Sequence, residues 1–117
     1  MSTINDVNDD VVVVTNAEAK RSTPELGLIR LVGAYNEKLF LAEHYMEKGW
    51  VGTAHSHPHE QIVYVVFGRL QVRCGERVFE VASGDSFVVR GGVEHQATAL
   101  ESSHVIDVFT PSRNDYI

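Results

Sequence analysis

A chain of 117 residues, 44% of them hydrophobic, has the length and composition of one globular domain with a core of its own. Its formal charge of −6 argues against a nucleic-acid surface, which needs clustered Lys and Arg, and no apolar run approaches the roughly 20 residues of a transmembrane helix. The acidic start MSTINDVNDD lacks the basic and apolar regions of a signal peptide, and Cys74 is the one cysteine, so the expectation is a soluble cytoplasmic protein with neither a membrane nor a nucleic-acid partner.

In chain order, residues 1–10 are polar and expected to be flexible. The β-branched run at 11–15 predicts an edge strand, and 16–25, with Pro24 as a breaker, reads as a loop. Residues 28–32 read as a strand closed by Gly33, and 38–46 as another. Alternation within 38–46 puts Phe40, Ala42, His44 and Met46 on one face and Leu39, Leu41, Glu43 and Tyr45 on the other.

The most informative stretch follows, GWVGTAHSHPHEQIVYVVFG at 49–68. His55-x-His57 on an extended chain places two imidazoles on one side, where they can grip one ion, and Gln61 has the same parity. Neutral imidazole is a common transition-metal ligand; the alternative is a polar loop leading into a strand. The run at 62–67 is apolar on both faces, with Gln61, Val63, Val65 and Phe67 expected inward and Ile62, Tyr64 and Val66 outward, so both faces need cover.

Short strands then succeed one another at 70–74, 77–81, 85–89, 95–100 and 104–109, separated by glycine-rich turns. That rhythm indicates an all-β antiparallel sandwich or barrel, a single domain over residues 1–117. In the last strand Asp107 shares a face with Val105 and Phe109. An acid flanked by apolar residues on an inward face is costly unless it has a partner or a task. His104 falls on the opposite face and is a poor ligand candidate, while His44 reads either as a ligand or as a packed or rim histidine.

Two spaced patterns resemble the cupin superfamily. The first cupin motif, G-x5-H-x-H-x3-(E)-x6-G, is matched by Gly49, His55, His57, Gln61 and Gly68, with Gln61 where the general pattern has Glu. The second, G-x5-P-x-G-x2-H-x3-N, is matched by Gly84, Arg90, Gly92, His95 and Ala99, with Arg90 for Pro and Ala99 for Asn. The resemblance implies a double-stranded β-helix, the jelly-roll cupin barrel. It also implies one divalent transition metal per chain (nickel, zinc, manganese or iron) held by His55, His57, Gln61 and His95. Glu60 is a weaker ligand candidate of the wrong parity, and His59 belongs at the pocket rim. Three imidazoles and an amide are neutral, so the ion keeps its full charge and should attract an anionic ligand.

HSHPHEQIVYVVFG and DVFTPSRNDY are similar to the KdgF-type cupins of pectin and alginate breakdown. That likeness implies conversion of 4,5-unsaturated uronate monosaccharides to linear 5-keto-4-deoxyuronate, with Asp107, Phe109 and Arg113 as catalytic and substrate-binding residues. Asp107 would be the acid–base group, its pKa raised by desolvation or lowered by the metal and Arg113. Phe109 would pack on the sugar face, the Arg113 fork would match a carboxylate, and Arg90 is a second carboxylate candidate. The alternative for Asp107 and Arg113 is an ion pair that ties down the tail. The alternative functions are another metal-dependent cupin enzyme, such as a dioxygenase or sugar isomerase, and a non-catalytic small-molecule binder. The apolar outward face and the run at 11–15 together predict a homodimer.

Overall fold

Side chains that alternate between buried and exposed along most of the chain build nine strands in the computed structural model, which describes residues 10–117. The expected flexibility of residues 1–10 therefore lies, except at Asp10, outside the described residues. The strands are β1 (Lys20–Glu25), β2 (Leu28–Tyr35), β3 (Phe40–Met46), β4 (Glu60–Phe67), β5 (Arg69–Cys74), β6 (Arg77–Ala82), β7 (Ser86–Val89), β8 (His95–Ala99) and β9 (Ser103–Thr110). A short 3-10 turn, Asn114–Tyr116, ends the chain. None of the helical structure among the described residues is long and apolar enough to cross a membrane.

All strand pairs are antiparallel. One sheet runs β1-β2-β3-β9-β4-β7 and the other β6-β5-β8. The chain before β4 extends the small sheet, because Gly49 and Gly52 donate their amides to the carbonyls of Ala99 and Ala97 at 2.8 and 3.0 Å. The result is the two-sheet jelly-roll arrangement that the resemblance implies, with the core between the sheets. β3 buries Phe40, Ala42, His44 and Met46, and β9 buries Val105, Asp107 and Phe109, as alternation requires. Two apolar clusters result. One is centred on Val63, Val65, Leu70, Val72 and Val105, the other on Val32, Phe40, Ala42 and Phe109. Each fully buried Val or Phe of this kind contributes on the order of 2 kcal/mol, so the inward faces of β3, β4 and β9 are strongly fixed.

Two expectations are corrected. Residues 11–15 form no ladder, and Val11 and Val13 are exposed. The edge strand is instead β1, within the stretch expected to be a loop. Gly27, at φ +83°, makes the tight turn that folds β1 back on β2. Pro24 is tolerated because it sits on an edge, inside a register shift between Ser22 and Glu25. The second correction is Phe67. A register shift between Val65 and Phe67 reverses the parity, so Phe67 turns outward, 46% exposed, against the His104 ring.

Candidate metal centre

His55 and His95 are brought face to face by an antiparallel bridge in which each donates its amide to the other's carbonyl, at 3.1 and 2.9 Å. His57 joins them because Gly92 donates its amide to the His57 carbonyl at 2.8 Å and because Gly91 has no side chain. A Cβ on Gly91 would collide with the Pro58 carbonyl oxygen. One nitrogen from each of the three rings lies within 4.8 Å of the others.

The protons on these rings follow from their neighbours. The Nδ1 atoms of His55, His57 and His95 lie 2.9, 3.0 and 2.9 Å from the carbonyl oxygens of Thr53, His59 and Val93. A carbonyl only accepts, so each Nδ1 carries the hydrogen and each neutral ring keeps its lone pair on Nε2. Burial lowers the pKa of His57 and His95, and the Arg113 charge adds to the effect at His57, which favours the neutral, ligating form.

Gln61 completes the set. Its amide nitrogen donates to Asp107 Oδ1 at 2.8 Å, which turns Oε1 toward His57 Nε2 at 3.0 Å. With the His57 proton on Nδ1, two lone pairs face each other there, an arrangement that a cation between them relieves. The donor set of His55, His57, His95 and Gln61 therefore fits a divalent ion, with carbonyl-oriented imidazoles of the kind that metal sites use. Imidazole donors of this kind suit several divalent ions.

Asp107, 3% exposed, accepts from His44 Nδ1 at 2.6 Å as well as from Gln61. His44 is thus a buried partner of the acid rather than a rim residue, and its Nε2 accepts from Arg30 Nε at 3.0 Å. Arg113 is also buried and its fork is engaged by Asp115, with Nε to Oδ1 at 2.9 Å and Nη2 to Oδ2 at 2.6 Å. These bonds hold the Asp115 carboxyl down at about 2. The Asp107–Arg113 ion pair is not formed. Asp115 takes the Nε/Nη2 edge of the Arg113 fork, and Nη1, buried and without a hydrogen-bond partner, remains for a ligand.

Arg30 and Arg113 stand 3.6 and 3.9 Å from the Tyr116 ring centroid, close enough that sterics put them on opposite faces. A cavity of about 360 Å³ is lined by Arg30, His44, His55, Gln61, His95, Asp107, Arg113 and Tyr116, together with apolar residues such as Met46 and Trp50.

The other candidates sort themselves. Phe109 shares the face of Asp107 but does not line the cavity. It is fully buried, with the His57 ring edge-on at 5.7 Å and the Arg113 guanidinium 4.8 Å above it, so it supports those groups instead of meeting a sugar. Glu60 is exposed and accepts the Gly91 amide at 3.0 Å. His59 lies beside His57, outside the three-histidine group. His104 pairs with Glu43 at 2.8 Å and stacks on Tyr45, on the outer face. Arg90 is exposed and does not line the cavity. Arg30 and Tyr116 were missed. The signal for Arg30 was present, since alternation puts it on the inward face between Leu28 and Val32, the same argument that singles out Asp107.

A family model described as a cupin domain matches residues 42–109. The pectin degradation protein KdgF of Dickeya dadantii (strain 3937) is 30% identical over 93 residues, which is 78% of this chain and 84% of that protein. Among solved structures, KdgF from Halomonas sp. matches with a TM-score of 0.85 at 35% identity, over 92% of this chain and 99% of that one. An RmlC-like cupin from Shewanella frigidimarina NCIMB 400 matches with a TM-score of 0.85 at 30% identity, over 90% of this chain and 95% of that one.

Proposed function

From the premise that the chain belongs to the cupin family and is KdgF-like in sequence and in fold, we propose that it acts in pectin degradation. The proposed reaction is metal-dependent conversion of 4,5-unsaturated uronate monosaccharides to linear 5-keto-4-deoxyuronate. One observation carries this reading: Asp107 is hydrogen-bonded to Gln61, beside the three histidines, in a cavity that Arg113 also lines.

The reaction is an isomerisation that needs one proton moved and no co-reactant. The hydroxyl proton on C1 leaves as the C1–O5 bond breaks, and C4 gains a proton as the enol becomes a ketone. Asp107 accepts the first proton and returns one to C4. Arg113 Nη1, a buried donor without a partner, receives the substrate carboxylate. Phe109 holds the His57 ring and the Arg113 guanidinium in place from beneath. A divalent ion held by His55, His57, His95 and Gln61 would supply Lewis-acid polarisation of a substrate oxygen.

The test is loss of the ultraviolet absorbance of 4,5-unsaturated galacturonate on adding metal-loaded protein. Asp107→Asn should abolish the loss with fold and metal content intact, and Arg113→Ala should mainly raise KM. Wild-type protein that leaves the absorbance of both galacturonate- and mannuronate-derived monomers unchanged would overturn the assignment.

A further inference from the structure

We propose that Arg30 and His44 are positioning residues for Asp107: Arg30 keeps His44 Nε2 an acceptor, and His44, with its N–H on Oδ2 opposite the Gln61 N–H on Oδ1, holds the carboxylate as an acceptor. The inference rests on the reading of Asp107 as the proton carrier.

The proton assignment along this line of groups is unique. A guanidinium does not deprotonate in proteins, so the 3.0 Å contact from Arg30 Nε makes His44 Nε2 an acceptor. A neutral imidazole with Nε2 accepting carries its hydrogen on Nδ1, and that hydrogen goes to Asp107 Oδ2 at 2.6 Å, short for an N–H···O bond. Gln61 donates to the other oxygen, Oδ1, at 2.8 Å. The opposite tautomer of His44 would set an N–H against the Arg30 N–H and leave Oδ2 without its donor. Each Asp107 oxygen is thus pinned by one donor and retains a lone pair for a substrate hydroxyl.

The strand register builds this line. Arg30 and His44 are direct cross-strand partners in β2 and β3, and Asp107 pairs with Ala42, two residues along β3 on the same inward face. Three adjacent strands each contribute one member of this line to a largely apolar face. Tyr116 fixes Arg30 from the far side, with its ring centroid 3.6 Å from the guanidinium carbon. Both His44 ring nitrogens and Arg30 Nε are engaged along the line.

Two measurements test the inference. In long-range proton–nitrogen spectra of the zinc-loaded protein, His44 should carry hydrogen on Nδ1 only. Arg30→Met removes the donor to Nε2 and should move the Nε2 resonance, while the bond to Asp107 keeps the hydrogen on Nδ1. A wild-type His44 protonated on Nε2, or an Nε2 resonance unmoved in Arg30→Met, overturns the proposal whether or not the protein turns over uronates. In the absorbance assay, His44→Leu should lower kcat about tenfold or more with KM within about twofold. His44→Gln, which can accept from Arg30 and donate to Asp107, should recover most of the loss. If wild type and both variants share one kcat per folded, metal-loaded molecule, or if Gln recovers nothing over Leu, the positioning role is wrong although the assigned function stands. Inactive wild-type protein sinks the assigned function alone, and the tautomer measurement then decides this inference.

Discussion

Gln61 offers two different atoms to two different neighbours, and a glutamate could not. Its oxygen faces His57 Nε2 while its nitrogen donates to Asp107. Gln61→Glu would put a second carboxylate against Asp107, at the site of a contact now 2.8 Å long. The variant should keep its metal by elemental analysis and lose about tenfold or more in kcat; undiminished turnover would count against the Gln61–Asp107 contact as a working part. A second prediction concerns Asp115, whose pKa falls from 3.8 to about 2 through its hydrogen bonds to Arg113. A depressed carboxyl pKa stabilises the folded state above its unfolded value and loses that contribution as pH falls toward the folded one. Between about pH 4 and pH 2 the wild type should therefore lose more thermal stability than Asp115→Asn does. Parallel acid profiles of the two proteins would contradict the Arg113–Asp115 contact. At this scale spacing alone picked out His55, His57 and Gln61. It could not show that Asp115 engages the Arg113 fork, because that contact depends on how the last turn, Asn114–Tyr116, closes.

Among the elements, the turn between β7 and β8 matters most, because it sets the height of the histidine segment. Gly91 lets the Pro58 carbonyl approach where a Cβ would collide, and Gly92, at φ +87°, gives its amide to His57. Gly91→Ala should push residues 57–59 away from His95 and weaken metal binding with little loss of fold. Titration with zinc should find its affinity reduced alongside that of His57→Ala, and His104→Ala, on the outer face, should bind as wild type does. Wild-type affinity in Gly91→Ala would show that the segment relaxes without cost. Strand faces were readable in β3, where burial alternates strictly, and in β9 from Val105 to Phe109. β1 was not, since KRSTPE carries no apolar period for a strand solvated at the edge. The reversal at Phe67 escaped the sequence because a shift of register leaves no mark in residue type.

For the molecule as a whole, the outer face of the large sheet displays Ile62, Tyr64, Val66, Phe67 and Val88, each more than a third exposed. A face of this kind favours a homodimer. Light scattering at tens of micromolar should give twice the chain mass, and Tyr64→Lys with Val88→Lys should halve it; a monomeric wild type would end the proposal. The fold was legible because two motifs and the strand rhythm agree, whereas the proposed dimer turns on an outer surface that those motifs do not describe. A last consequence follows from the two-sheet origin of the candidate ligands. His55 and His95 belong to the small sheet's edge and Gln61 to β4 in the large one. An ion bound by all of them would act as a rivet between the two layers. Adding zinc should then slow backbone hydrogen–deuterium exchange in residues 49–55, β8 and β4 together and leave β6 unchanged. Slowing confined to the small sheet would mean that the rivet has only one head, and that Gln61 is not part of it.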